Sequence, residues 1–238
     1  MSNTTDTAGL CEFCGEPLER LVFNLNGVER PVGWKGCHCE GATAARLAEM
    51  QAEEERLATA RRNSELRKLR NAGLPERYLN AEAPKAEALA DLWWEGTGFY
   101  IDGEQGTCKT TLAAAVFRIL ARTGCTCRFV VVPDLMEAMR SRKVEDRDQT
   151  TRLATVDVLV LDDLGKETPT PYACERLFDI VNTRYNAMLP IGVTSNFTRG
   201  EIAQRLTEGD VGKSIASRLC EMTRRIHLDG VDRRLRHG

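Results

Sequence analysis

Eight consecutive residues, Gly103-Glu104-Gln105-Gly106-Thr107-Cys108-Lys109-Thr110, have the types and spacing to hold a polyphosphate. The apolar run Gly98-Phe99-Tyr100-Ile101 precedes them, and the helix-like run Thr111-Leu112-Ala113-Ala114-Ala115-Val116-Phe117 follows. A strand, a tight loop and a helix let successive backbone N–H groups converge on phosphate oxygens, with the positive end of the helix dipole aimed the same way. Lys109 is then expected to reach the outer phosphates and the Thr110 hydroxyl to ligate Mg²⁺. Gly103 to Thr111 form the expected cradle. Cys108 departs from the pattern, because a glycine usually precedes the lysine. If that position requires φ > 0, its Cβ costs roughly 1–2 kcal/mol. Such a penalty weakens binding about tenfold without abolishing it.

A second group lies some 50–60 residues on. Val156-Asp157-Val158-Leu159-Val160-Leu161-Asp162-Asp163 is an apolar run ending in two acids. It reads as a strand buried on both faces, with its carboxylates at the C-terminal edge. Open α/β sheets bind ligands outside that edge. Asp162 is expected to hold Mg²⁺ through water and Asp163 to polarise an attacking water. A further buried strand, Pro190-Ile191-Gly192-Val193-Thr194-Ser195-Asn196, ends in a polar residue, Asn196, suited to orienting that water. Arg218, in the helix-like stretch Lys213–Leu219, is a candidate to act on a neighbouring subunit's phosphate.

The third group is Cys11-Glu12-Phe13-Cys14-Gly15 with Cys37-His38-Cys39. Two closely spaced cysteine pairs can give zinc four thiolates, a closed and therefore structural shell. The segment between them has too few apolar residues to fold alone, so metal binding is expected to fold it. His38 is an alternative ligand to Cys37 or Cys39.

The elements that must position these groups follow in order. Residues 1–41 form the cysteine module. Residues 42–71 form a charged, alanine-rich connecting helix, acidic in its first half and basic in its second, ended by Gly73 and Pro75. Residues 72–238 form an α/β domain. Cys125 and Cys127 read as core thiols, Trp93 and Trp94 as packing residues, and residues 140–152 as a helix end and loop. Hydrophobic content of 42% with a formal net charge of −2 is ordinary for a globular protein and gives no global case for nucleic acid. Nine cysteines, an odd number, favour metal ligation and core thiols over a disulfide framework. No apolar run is long enough to span a membrane and no signal pattern opens the chain, so a cytoplasmic location is expected.

These blocks together resemble the AAA+ ATPases of the DnaC/DnaI-type helicase-loader group, to which the IstB-like transposition helpers are close relatives. The resemblance is carried by Leu74-Pro75-Glu76-Arg77-Tyr78, Gly103–Thr110, Leu161-Asp162-Asp163-Leu164-Gly165 and Asn182-Thr183-Arg184-Tyr185. It continues through Thr194-Ser195-Asn196, Ile215-Ala216-Ser217-Arg218-Leu219 and Asp229-Gly230-Val231-Asp232-Arg233-Arg234. It implies an AAA+ P-loop core, a parallel sheet flanked by helices, behind the zinc module and connecting helix. It also implies that Tyr78 adjoins the nucleotide, that Asn196 is the sensor 1 residue, Arg218 an arginine finger and Arg234 (or Arg233) the sensor 2 arginine. The implied cofactors are ATP, Mg²⁺ and Zn²⁺. The implied partners are a hexameric DnaB-type replicative helicase, single-stranded DNA and further copies of the chain through the ATP sites. Slow turnover is expected, since Asp163 is one methylene shorter than the glutamate of many AAA+ proteins. A transposition helper and a zinc-bearing adaptor with a decayed ATP site are the competing readings.

Overall fold

A computed structural model describes residues 9–25, 27–140, 146–166, 170–206 and 209–230. The chain divides into two compact units, Met1–Ser64 and Glu65–Gly238.

In the first unit, β1 (Arg20–Leu25) and β2 (Val28–Trp34) pair as an antiparallel hairpin whose last partners are Leu25 and Val28. The hairpin lies between the two cysteine pairs, where no strands were expected. Its clue is the Asn26-Gly27 dipeptide between two runs rich in strand-forming residues, a strong short-range hairpin pattern. Both strands are exposed along their whole length, including Val22, Phe23, Leu25, Val28 and Val32. Helix α1 runs over Glu40–Asn71. Leu47, Met50 and Leu57 are exposed on it, and the first side chain to be fully buried near its end is Leu69.

In the second unit, α1 stops through glycine. Gly73 has φ 91°, its N–H donates to Arg70 O, and Leu74 N–H reaches back to Leu69 O at 3.1 Å. This closes the last turn in the left-handed manner that glycine allows. Phe129 N–H donates to Ala72 O at 2.8 Å, so the helix end is pinned to a sheet edge. There follow a 3₁₀ turn at Glu76–Tyr78, α2 (Ala86–Trp94), β3 (Gly98–Gly103), α3 (Lys109–Ala121), β4 (Cys127–Val131) and α4 (Val132–Arg140). The rest is α5 (Asp146–Thr155), β5 (Val158–Leu164), α6 (Pro171–Asn186), β6 (Gly192–Ser195), α7 (Arg199–Leu206), α8 (Asp210–Met222) and β7 (Thr223–Leu228).

Five parallel strands form one sheet in the order β4-β5-β6-β3-β7. Alternation along the buried strands builds a core on each face. Phe99, Ile101, Val158 and Val160 pack with α2 and α3; Tyr100, Leu159, Leu161 and Val193 pack with residues of α4, α6 and α8. The chain leaves β3 toward β4 on one side and leaves β6 toward β7 on the other. The two exits run in opposite directions, each past the other strand, and ligands of open α/β sheets bind outside the carboxyl ends of strands at such a reversal.

Three local expectations change. Residues 146–152, expected within a helix end and loop, belong to helix α5, with Leu153 buried as its anchor. Trp93 packs on Phe99 with ring centroids 5.9 Å apart, whereas Trp94 is exposed. Cys127 is a core thiol, but Cys125 precedes the strand and is half-buried. The arginine-rich tail also conceals a strand, β7, whose Ile226 and Leu228 alternate with Arg225 and His227.

Candidate functional site

The phosphate loop joins the carboxyl end of β3 to α3. Gly103 and Gly106 take φ 148° and 83°. Cys108 takes φ 66°, ψ 27°, so the glycine-favouring position does hold a residue with a Cβ. Its thiol caps nothing, and α3 begins with no side-chain cap. The first-turn N–H groups of α3 are therefore not satisfied by a cap, which is the condition an anion meets at a helix N-terminus. Glu104 and Gln105 are exposed at the loop tip, while Gly106 and Thr107 are buried. Thr107 Oγ1 donates to Glu104 O at 2.8 Å and braces the turn. Lys109 is only 5% exposed and folds over the loop, its Nζ donating to Gly103 O at 2.9 Å and Glu104 O at 2.7 Å. These carbonyl acceptors hold the ammonium over the loop, and its charge is felt by Asp162, where it opposes the rise in pKa that burial causes.

Thr110 and Asp162 meet, as their spacing suggested. Thr110 Oγ1 donates to Asp162 Oδ2 at 3.3 Å, and Thr194 Oγ1 donates to Asp162 Oδ1 at 2.6 Å. Asp162 is 5% exposed, and burial raises its pKa against the opposing hydrogen bond from Thr194. A buried carboxylate of this kind gains from a cation beside it. The donor set, a threonine hydroxyl beside an aspartate oxygen at the foot of a phosphate loop, fits hydrated Mg²⁺.

Asp163 sits in the left-handed region at φ 61°, with its N–H donating to Thr194 Oγ1 at 3.0 Å. Its carboxylate is 3.6 Å from Lys166 Nζ. Thr194 thus fixes both acids, one through a side chain and one through a backbone amide. Ser195 Oγ donates to Leu164 O at 2.6 Å and accepts from Phe197 N–H, which shapes the turn carrying Asn196. Asn196 is exposed at the end of β6, and among the described residues it has no hydrogen-bond partner. Thr111 is half-buried in the first turn of α3. Tyr78 lies in the 3₁₀ turn packed against α3, with Arg77 stacked on its ring at 5.1 Å. Arg218 is held on α6 and α8, away from the loop residues just described. Arg233 and Arg234 lie outside the described residues.

One neighbour of the loop went unread in the sequence. Asp102, immediately before Gly103, is 1% exposed. Arg225 on β7 grips it at 2.7 Å, and His227 Nδ1 lies 3.2 Å from its other oxygen. This ties β7 to the root of the phosphate loop.

In the first unit, the Sγ atoms of Cys11, Cys14, Cys37 and Cys39 all lie within 4.8 Å of one another. Cys11–Cys39 is 3.7 Å and Cys14–Cys37 is 3.5 Å. A tetrahedron with metal–sulfur bonds of ~2.3 Å has edges of ~3.8 Å, so the cluster fits zinc. Gly15, at φ 74°, turns the first knuckle, and Gly15 N–H donates to Cys11 O at 2.9 Å. Backbone amides of Cys14 and Phe13 pull Cys11 down to about 7. The amide of Glu16 acts the same way on Cys14, but the neighbouring Cys37 thiol and desolvation outweigh it and push Cys14 up to about 12. Crowded thiols without a cation cannot all ionise. His38 is exposed and outside the cluster.

The fold and this edge-of-sheet site define a P-loop protein of the AAA+ class. The family of IstB-like ATP binding proteins matches residues 44–238, and the chain belongs to it. The replicative helicase loader DnaC of Escherichia coli K12 is 28% identical over 137 residues, 56% of either chain. A Sinorhizobium fredii protein assigned as an insertion-sequence ATP-binding protein is 30% identical over 177 residues, 68% of this chain and 59% of its own. A crystal structure of DnaI superposes with a TM-score of 0.54 at 29% identity, covering 63% of this chain and 82% of that one. The chain thus spans little more than half the length of the curated relatives it matches. Among the described residues, no helix is long and apolar enough to cross a membrane.

Proposed function

We propose that the protein is an ATP-gated helicase loader, slow in hydrolysis, that delivers a hexameric DnaB-type replicative helicase onto single-stranded DNA. The observation that carries the nucleotide half is the Thr110–Asp162–Thr194 chain at the foot of the phosphate loop. Similarity to helicase loaders supports the delivery half, and the four-thiol cluster supports a separate helicase-gripping module.

In this reading the loop from Gly103 to Thr111 wraps the phosphates, Tyr78 borders the nucleotide, and Lys109 turns from its carbonyls to the outer phosphate oxygens. Thr110 and, through water, Asp162 would hold Mg²⁺, which would neutralise charge on the phosphoryl group. Asp163 takes a proton from the attacking water, and Asn196 orients that water. Arg218 acts on the nucleotide of an adjoining copy, and Arg234 or Arg233 serves as the sensor 2 arginine. Cys11, Cys14, Cys37 and Cys39 hold zinc. Residues 1–41, 42–71 and 72–238 serve as helicase grip, spacer and ATP switch in a cytoplasmic protein.

The IstB-like insertion-sequence relative favours a second reading, a transposition helper. The test is ATP affinity and turnover for wild type and Lys109→Ala, with and without single-stranded DNA, followed by capture of a purified hexameric helicase. Micromolar binding with slow turnover, lost in Lys109→Ala, together with helicase capture is the expected result. Nucleotide binding without helicase capture transfers the protein to the transposition reading. Helicase capture that is indifferent to Lys109→Ala and ATP makes it an adaptor.

A further inference from the structure

Arg218 is held in an unusual state for a half-buried cation. Its guanidinium lies 4.9 Å from the ring centroid of Phe178 and 5.5 Å from that of Tyr185, both on α6. Nε donates to Asn182 Oδ1 at 3.0 Å, and Nη1 donates to Ser214 O at 3.1 Å. A guanidinium carries five N–H donors. Only two are engaged, and among the described residues no carboxylate lies within ion-pair distance of it.

A carboxylate is nevertheless close by in the chain. Glu221 stands three positions further along α8, the spacing at which helical side chains meet. It is held elsewhere: Tyr185 donates its hydroxyl to Glu221 Oε2 at 2.7 Å. The same tyrosine therefore offers its ring to the arginine and its hydroxyl to the acid that would neutralise it. Asn182, one turn earlier on α6, holds the Nε edge and leaves both Nη2 donors open. Asn182 is neutral, so it fixes direction without consuming charge.

We propose that Asn182 and Tyr185 are positioning residues for Arg218, presenting it as an uncompensated cation to the phosphates of a nucleotide bound by a second copy of this chain. Asn182 sets the direction of the fork, and Tyr185 keeps Glu221 from quenching it. The inference rests on the reading of Arg218 as a residue acting in trans. It explains why Asn182, Arg218 and Tyr185 occur together, a combination that packing alone does not demand of two polar side chains on a half-exposed surface.

Mixed assemblies test it. Lys109→Ala subunits lack a working phosphate site but carry an intact Arg218. In the control, Arg218→Ala and Lys109→Ala subunits are each inactive alone, and their mixture recovers turnover. No recovery in this control overturns the trans reading and the inference with it. Given recovery, Tyr185→Phe is expected to bind ATP as wild type does but to turn it over about tenfold more slowly, a part of the 10³–10⁵ that a finger supplies. Two separate rescues are expected: by Glu221→Gln in the same chain, and by mixing with Lys109→Ala subunits. Asn182→Ala is expected to be rescued by mixing alone. Tyr185→Phe turnover equal to wild type, or a defect that neither rescue repairs while the control recovers, overturns the inference and leaves the trans reading standing.

Discussion

The two compact units reach order by different physical means. The second unit buries Phe99, Tyr100, Ile101, Leu159, Leu161 and Leu177 almost completely, in cores on both faces of its sheet. The first unit exposes Phe23, Leu25, Val28 and Val32, each at more than half of its surface, and gathers four thiols instead. A two-stranded hairpin without a covering layer is marginal in water. In the zinc-bound reading, order in the first unit comes from the cysteine cluster, whereas order in the second comes from apolar burial.

Chelation gives the largest expected effect. Zinc in a four-thiolate site contributes an apparent ~10–16 kcal/mol of binding free energy, which is folding free energy where no preformed core exists. Removing the metal is expected to abolish amide protection across β1 and β2 while β3 to β7 stay protected and ATP binding is unchanged. Hydrogen exchange with and without a chelator measures both units in one experiment. Protection of the hairpin that survives chelation breaks the comparison.

What the sequence disclosed follows the same division. The phosphate loop and the two acids were readable because their chemistry is local: adjacent residues perform one task within a strand–loop–helix frame. The cysteine pairs were readable for the same reason. The hairpin between them is less legible, because its one turn signal, Asn26-Gly27, stands in a segment with few core-forming residues. β7 is hard to see in the sequence because Arg224, Arg225 and His227 leave it only two apolar residues, and pairing with β3 is what assigns them to a strand. Asp102 and Arg225 are 123 positions apart, and no local spacing joins them. Arg184 stood in a recognisable motif, yet its task is tertiary.

That task supplies the next prediction. Arg184 is 0% exposed and donates to the carbonyls of Val156 and Pro190, each at 2.6 Å, and to Asp157 O at 3.3 Å. It fastens the segments that lead into β5 and β6, and burial draws its pKa down to about 10. Arg184→Ala leaves several buried acceptors unpaired and is expected to cost about 3–5 kcal/mol, since hydrogen bonds to a charged group contribute ~1.5–3 kcal/mol each and orphaned acceptors carry a further penalty. Denaturant unfolding of the second unit, followed at Trp93, measures it. The metal site of the first unit is expected to keep its zinc stoichiometry, because the two kinds of order are independent. Zinc loss in this variant breaks that independence.

The smallest effect distinguishes strain kept for function from strain that is incidental, both within the core-stabilised unit. Cys108 and Met188 both adopt left-handed backbone, at φ 66° and 54°. Met188 is 86% exposed, and it closes α6 with its N–H donating to Tyr185 O while Leu189 N–H reaches Arg184 O. Glycine is the usual residue at such a helix end. Met188→Gly is therefore expected to stabilise the second unit by about 1 kcal/mol, the left-handed penalty less the greater freedom of glycine in the unfolded chain. ATP affinity should not change. Cys108→Gly carries the same backbone arithmetic, but at the loop that must wrap phosphate. The single left-handed penalty is expected to be divided there between folding and binding, so that any tightening of ATP, at most about tenfold or 1.4 kcal/mol, comes at the expense of the gain in stability. If both variants gain stability and neither changes affinity, the Cys108 loop is already held in its binding conformation by Lys109 and Thr107, and its strain bears on folding alone.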